Sequence, residues 1–318
     1  MKFRTNIQLK KEHNPFDYNA KIMLFGSCFS EHIYKKLDYF KFNAFNNPFG
    51  ILFNPIAIEN LITKAINEER YTEKDIFQIN ERWHCFDAHS DLSSNKKNDL
   101  LSNLNTAIIA TNNKLTEATH IIITLGTSWV YRFIETDAVV GNCHKVPQKK
   151  FLKELLSVEK IIAALKNIIT LIKSVNPTTN IIFTVSPVRH LKDGFTENSV
   201  SKAHLLTAIH QLIEISPLGV RGNYFPSFEI MLDDLRDYRF YNSDMVHPNE
   251  TAINYIWEQF QHVWISENTT SIMKDVETIQ KGLAHKPFNP NSEQHQQFLI
   301  DLESKIAILQ QQFPFISF

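Results

Sequence analysis

Two short stretches carry side chains whose types and spacing suit nucleophilic catalysis. The first is Gly26, Ser27 and Cys28, where an apolar run meets a helical pattern. A thiol or hydroxyl at such a junction lies at the positive end of the helix dipole, where an anion is favoured. The second is Asp244 and His247, three residues apart and directly before a helix start. A carboxylate at that spacing can hold one imidazole nitrogen while the other acts as a base.

Both stretches also have a purely structural interpretation. A glycine at the junction makes the bend, and Ser27 or Ser30 can cap the helix that follows. Asp244 can be a capping aspartate and His247 a surface histidine, because the pattern D-x-x-H also arises by chance. Chemistry is favoured only if the surrounding elements bring the two stretches together.

The apolar runs that must position these side chains alternate with helical patterns along the chain. Four of them are unbroken and β-branched, which is typical of strands buried on both faces. They are KIMLF from residue 21, FNAF from residue 42, HIIITL from residue 120 and NIIFTV from residue 180. Helical patterns lie between them at residues 30–40, 55–69, 99–113 and 158–175. This alternation predicts an α/β fold, a three-layer α/β/α sandwich with a mostly parallel sheet.

The chain changes character at about residue 266. Helical patterns at residues 201–215 and 249–264 still belong to the sheet domain, and those at 270–285 and 293–313 follow it. We therefore predict an α/β domain over residues 1–265 and a helical C-terminal extension over residues 266–318. The apolar side of the extension needs cover, so we expect it to pack on the domain or on a second subunit, which admits a homo-oligomer.

Composition narrows the class of protein. The 318 residues are 43% hydrophobic with a formal net charge of -1, so no global field attracts nucleic acid. No apolar run has membrane-spanning length and the N-terminus lacks a signal peptide, which predicts a cytoplasmic protein without a membrane partner. The three cysteines cannot all pair and lack C-x-x-C spacing. No phosphate-binding loop occurs either, so we expect no cofactor and no metal.

Further candidate residues follow the predicted strands, because the crevice of an open parallel sheet lies beyond the carboxyl ends of its strands. Glycine N–H groups and nearby hydroxyls or amides there can complete an oxyanion site. The candidates are Gly26, Gly50, Gly126, Thr127, Ser128, Asn142, His144 and Arg189. His144 and Arg189 suit an anionic part of a substrate, or else pair with the acidic run DDLRD.

Six motifs in fixed order resemble one known family. They are GSCFSEHI, NPFGILFNP, LGTSWVY, GNCHKVP, TVSPVRHLKDG and SFEIMLDDLRDYRFYNSDMVHPN. Together they look like the GSCFA domain family, which is related to the SGNH/GDSL hydrolases. The resemblance spans about residues 20–265. It implies a flavodoxin-like sandwich with its site at the carboxyl ends of the strands.

The resemblance also implies roles for single residues. Gly26 matches the leading glycine of the nucleophile block, Cys28 falls where the superfamily has its serine, and Ser27 falls where it has aspartate. Asp244 and His247 match the last block without adjustment. On this basis Cys28 is favoured over Ser27 as the nucleophile.

The oxyanion donors match less well. Gly50 corresponds to the second-block glycine that offers an N–H group, and Gly126 opens the third block. Ser128, however, stands where the superfamily has an asparagine. Asn142, on a neighbouring loop, is a candidate to supply the missing amide.

Residues and resemblance together predict an SGNH-like esterase or acyltransferase that acts on an O- or S-acyl group through a covalent acyl-enzyme. Cys28 or Ser27 attacks, His247 removes the proton, and Asp244 orients His247. The alternative is a non-catalytic carbohydrate- or lipid-binding module on the same fold, because a fold does not fix a function. In either case the expected partner is a small-molecule, glycan or lipid acyl substrate.

Overall fold

The computed structural model describes residues 5–215 and 222–318, and within them the fold is α/β. The strands in chain order are β1 (Lys21–Gly26), β2 (Asn43–Asn46), β3 (Ile76–Ile79), β4 (Arg82–Cys85), β5 (His120–Leu125), β6 (Trp129–Phe133), β7 (Ala138–Val140), β8 (Phe151–Leu155), β9 (Asn180–Val185) and β10 (Asn223–Phe225).

Nine α-helices occur in the same described ranges. They are α1 (Cys28–Tyr39), α2 (Pro55–Ile66), α3 (Lys97–Glu117), α4 (Val158–Val175), α5 (Phe195–Ile215), α6 (Ser227–Glu229), α7 (Glu250–Trp264), α8 (Thr270–Ala284) and α9 (Glu293–Gln312). The short α6 continues as a π-helical segment over Ile230–Leu235.

The main sheet consists of five parallel strands in the order β10-β9-β5-β1-β2. Four of these are the strands predicted from the apolar runs, and the helical patterns between them correspond to α1, α2, α3 and α4. The α/β prediction is therefore confirmed. The fifth strand, β10, is only three residues long.

Both faces of the main sheet are buried. Successive side chains of a strand point to opposite faces. Met23 and Ile121 therefore join the apolar cluster formed with α2, α3, α4 and α5. Ile22 and Leu24 join a second cluster with residues of α1, α7, α8 and α9. This arrangement explains why the strands are unbroken apolar runs.

Two antiparallel pieces of sheet lie outside the predicted pattern. β3 pairs with β4, and β6 lies between β7 and β8. The turn from β3 to β4 is made by Asn80 and Glu81, both with positive φ of 49° and 61°. Such a turn is normally signalled by Asn-Gly or Asp-Gly, and its absence hid the hairpin from sequence reasoning.

The two C-terminal helices pack on the rest of the chain. Val276 and Ile279 of α8 are completely buried in the same cluster as the second face of the sheet. Tyr18 lies 5.2 Å from Phe313, between ring centres, just beyond the end of α9. The outer side of α9 remains apolar in part, with Ile308 65% exposed.

Two isoleucines in the C-terminal helices provide a matched test of this packing. We expect Ile279→Ala to lower the free energy of unfolding by about 2–5 kcal/mol, because it leaves a cavity under α8. Ile308→Ala removes the same atoms from an exposed position and should change it by about 0.5 kcal/mol or less. Urea unfolding of the two variants measures both values. Equal effects would show that α8 is not part of the cooperative core.

Candidate functional site

The turn from β1 into α1 is held very close to the neighbouring strand. Gly26 has a φ of 136°, and a Cβ atom there would lie 2.2 Å from the carbonyl oxygen of Thr124. Ser27 is the N-cap of α1, with its Oγ accepting from the N–H of Phe29 at 3.2 Å. The Ser27 side chain is fully buried, whereas Cys28 is half-buried. Of the two neighbours, Cys28 is therefore the more accessible.

The environment of the Cys28 thiol raises its pKa. Burial is the largest cause, followed by the carboxylate of Glu31. The N–H groups of Cys28 and Phe29 and the ammonium of Lys202 act in the opposite direction, but more weakly in sum. The sequence predicts that the helix end favours a thiolate. Here burial outweighs that contribution, so the free thiol is mainly protonated at neutral pH.

Asp244 and His247 form a close pair on the loop before α7. Nδ1 of His247 lies 2.7 Å from Oδ2 of Asp244, and Oδ1 accepts from the N–H groups of His247 and Val246 at 3.0 and 2.9 Å. These backbone bonds, and then the imidazole, lower the pKa of Asp244 to about 2. Because an ionised carboxylate only accepts, Nδ1 is the protonated nitrogen of the neutral ring.

The loop that carries this pair lies beside the face of α1 that bears Cys28. His32 is four residues after Cys28, so both side chains lie on one face of the helix. Burial is the main cause of the lowered pKa of His32, and the charges of Lys35 and His247 contribute. Within the described residues no hydrogen bond joins Cys28 to His247. Cys28 and His247 thus lie near the same helix without a hydrogen bond between them.

The N–H groups of the two candidate oxyanion glycines already donate hydrogen bonds within the protein. The N–H of Gly50 donates to the carbonyl oxygen of Asn47 at 2.8 Å, and the N–H of Gly126 donates to that of Phe53 at 2.7 Å. Gly50 has a φ of 72°, and a Cβ there would lie 2.4 Å from Cβ of His89. Close backbone approach therefore accounts for this glycine without an oxyanion role.

The residues after Gly126 are bound to α5. The N–H of Ser128 donates to Oγ of Ser201 at 2.8 Å, and Oγ of Ser128 donates to the carbonyl oxygen of Ser201 at 3.1 Å. Oγ1 of Thr127 lies 2.9 Å from Oγ of Ser201. Ser128 is completely buried. These contacts attach the start of α5 to the carboxyl end of β5.

Asn142 and His144 belong to a different neighbourhood, next to β4. Oδ1 of Asn142 accepts from the N–H of His144 at 2.9 Å, and Nε2 of His144 lies 2.7 Å from the carbonyl oxygen of Cys85. Burial lowers the pKa of His144 to about 4. At neutral pH this histidine is uncharged and does not attract an anion in the way the sequence suggested.

Arg189 lies among aromatic rings beside the loop of His247. Its guanidinium is 5.1 Å from the ring centre of Phe195 and 5.5 Å from those of Tyr238 and Tyr241. Its Nη1 donates to the carbonyl oxygen of Met245 at 3.2 Å. These rings line a cavity of about 300 Å³. We call it the arginine cavity.

Sequence reasoning missed Lys202 of α5, which is only 1% exposed. Its Nζ donates to the carbonyl oxygen of Ser186, just after β9, at 2.7 Å. Burial lowers the pKa of Lys202 to about 7, although the charge of the Cys28 thiolate acts to raise it. The signal was available, because Lys202 is in line with Leu205 and Ile209 on the apolar stripe of its helix.

His190 follows Arg189 in the loop after β9. Its ring stacks on Phe53 at 5.0 Å between centres, and Nε2 is buried without a hydrogen-bond partner among the described residues. Burial, with the charges of Lys202 and His247, lowers the pKa of His190 to about 3. His190 is therefore neutral at pH 7.

Two further kinds of feature are absent from the described residues. In residues 5–215 and 222–318, no group of three or more His, Cys, Asp or Glu side chains is arranged to hold a metal ion. No described helix is both long and apolar enough to cross a membrane.

Comparison with known proteins gives the family. The model of the GSCFA family matches residues 21–260, which include β1, Cys28 and the Asp244–His247 pair. The chain belongs to the GSCFA family. A second model, described as the C-terminal domain of GSCFA domain proteins, matches residues 276–318 of this GSCFA protein. No curated protein matches the chain.

From the low pKa of Asp244 we predict that acid lowers the stability of this GSCFA protein at the loop before α7. Its folded pKa of about 2 is below the ordinary value of 3.8. The stability it contributes is therefore present above about pH 4 and is lost as the pH falls towards 2. Thermal unfolding between about pH 5 and pH 2 measures this loss. Asp244→Asn removes the titration and should flatten the profile, and identical profiles would contradict the assignment.

Proposed function

We propose that this GSCFA protein is an SGNH-type esterase or acyltransferase that forms an acyl-enzyme on Cys28. The observation that carries the proposal is the 2.7 Å hydrogen bond between Asp244 and His247 on the loop beside α1. It orients Nε2 of His247 as a base. A flavodoxin-like three-layer α/β/α sandwich of the SGNH type is part of the proposal, as is a cytoplasmic location.

The proposed reaction has two steps. Nε2 of His247 takes the thiol proton of Cys28, and the thiolate attacks the carbonyl carbon of the ester or thioester. The new C–S bond forms, the leaving alcohol or thiol takes the proton back from His247, and a thioester remains on Cys28. Water or an acceptor alcohol then attacks the thioester carbon and gives its proton to His247. The C–S bond to Cys28 breaks, the acid or new ester leaves, and the thiolate takes the proton back from His247.

The raised pKa of Cys28 suits this sequence of events. A thiol that is protonated in the free enzyme needs a base at the moment of attack, and the oriented imidazole supplies it. The N–H of Cys28 is one of the first amides of α1, which have no intrahelical acceptor. It is the oxyanion donor that we propose, because the amides of Gly50 and Gly126 are engaged elsewhere.

The arginine cavity is the proposed binding site for the rest of the substrate. Arg189 provides a cation, and Phe195, Tyr238 and Tyr241 provide ring faces. Rings of this kind stack on sugars or cover acyl chains, and an arginine pairs with carboxylate or phosphate groups. The N–H of Arg189 donates to the carbonyl oxygen of Val246 at 3.2 Å, which links the cavity to the His247 loop.

The same cavity also supports the second candidate function, a non-catalytic carbohydrate- or lipid-binding module. A mainly protonated Cys28 and engaged glycine amides are consistent with binding alone. A thiol-directed activity probe separates the two functions. A module without catalysis would bind its ligand equally well as wild type and as Cys28→Ala, and the ligand would not slow labelling of Cys28.

Three alanine variants test the enzyme directly with short-chain acyl esters and acyl-CoA as substrates. Cys28→Ala should abolish turnover, and His247→Ala should lower kcat/KM by about a thousandfold or more. Ser27→Ala should lose about 0.5–2 kcal/mol of stability as a helix cap but keep most of its turnover. Steady-state rates and thermal unfolding on the same preparations measure these effects.

His262→Ala is the matched control, because His262 is an exposed histidine on α7. It should keep full activity. An active His247→Ala protein would overturn the assignment of the base. If Ser27→Ala is inactive and Cys28→Ala is active, the nucleophile is Ser27 and the thiol is structural.

A further inference from the structure

Lys202 is a fully buried lysine that the reaction described above does not use. Within the described residues its ammonium makes one hydrogen bond, to the carbonyl oxygen of Ser186. It also lies 5.6 Å from the ring centre of Phe228, which lines the arginine cavity. An ion removed from water carries a large desolvation penalty, and one carbonyl and one ring face compensate little of it. A lysine kept in such a place requires an explanation.

The sheet topology places this ammonium at the carboxyl end of the main sheet. Ser186 follows β9, and the N–H of Ser186 donates to Leu125 at the end of β5. The N–H of Ser27 donates to Thr124, also at the end of β5. The strand ends that carry Ser186 and Cys28 are therefore two strands apart, with β5 between them. Because Ser201, the neighbour of Lys202, is bound to Ser128, this part of α5 lies near the carboxyl end of β5.

We propose that Lys202 is an electrostatic positioning residue whose ammonium stabilises the thiolate of Cys28 across the end of β5. This inference rests on the proposed role of Cys28 as the nucleophile. Lys202 does not exchange a proton with the substrate in this account. In its protonated form it supplies a positive charge that becomes favourable when the thiol proton moves to His247.

The other charged and titratable groups around the thiol do not replace it. Glu31, on α1 itself, opposes the thiolate. His190, after β9, is neutral because its pKa lies at about 3. His247 is the proposed proton acceptor. Of these groups, only Lys202 in its protonated form offers a positive charge that does not come from the thiol proton itself. The interaction is mutual, since the thiolate raises the pKa of Lys202.

The test is the pH profile of thiol alkylation, which needs no substrate. Lys202→Met keeps the length and apolar stem of the side chain but removes the charge. We expect the rate of iodoacetamide reaction at Cys28 near neutral pH to fall about tenfold, because loss of the ammonium raises the thiol pKa and lowers the thiolate fraction. Lys166→Met, which removes an exposed lysine of α4, should leave the profile unchanged.

A second measurement keeps the inference testable if Lys202→Met does not fold. In the protein with an intact Lys202, the alkylation rate of Cys28 should rise less steeply with pH around pH 7 than one thiol ionisation requires, because Lys202 loses its charge there. The same measurement in His247→Ala shows that His247 is not the cause. Superimposable alkylation profiles of folded wild type and Lys202→Met would overturn the inference. So would a wild-type profile that follows a single thiol ionisation throughout. Absence of acyl turnover would instead refute the proposed function, since neither measurement depends on it.

Discussion

The site depends on the contact between β1 and β5 at their carboxyl ends. Only a glycine at position 26 permits the chain to pass so close to the carbonyl oxygen of Thr124. The N–H of Ser27 then bonds that same oxygen at 3.1 Å, and Ser27 caps α1. These constraints bring Cys28 to the first position of α1, directly beyond the carboxyl end of β1. The same three residues thus form both the turn and the proposed reactive group.

Around this junction, burial shifts the pKa values of three titratable groups. Burial raises the pKa of Cys28 and lowers the pKa of Lys202 and His190, so all three groups are pushed towards their neutral forms. Such a site holds little charge in the free protein. In the proposed reaction, the imidazole of His247 and the protonated form of Lys202 would stabilise charge that appears when the thiol proton leaves.

The sequence predicted the strands and helices of the main sheet well, for physical reasons. Strands buried on both faces must be unbroken apolar runs, and amphipathic helices must repeat every three to four residues, so both patterns are visible in the chain. The hydrogen bond from His247 to Asp244 follows from local spacing. By contrast, the roles of Gly50 and Gly126 depend on which carbonyl their amides meet, which is a tertiary contact. Lys202 meets the carbonyl oxygen of Ser186 only through folding, although its place on an apolar stripe was a usable sign.

The central claim is that Cys28 becomes acylated with His247 as the base. Intact-protein and peptide mass spectrometry after brief incubation with a short-chain activated acyl ester tests it most directly. The account predicts one acyl group, on the peptide that contains Cys28, removable by hydroxylamine and formed far more slowly in His247→Ala. An acyl group on Ser27, or equal acylation of wild type and His247→Ala, would contradict it.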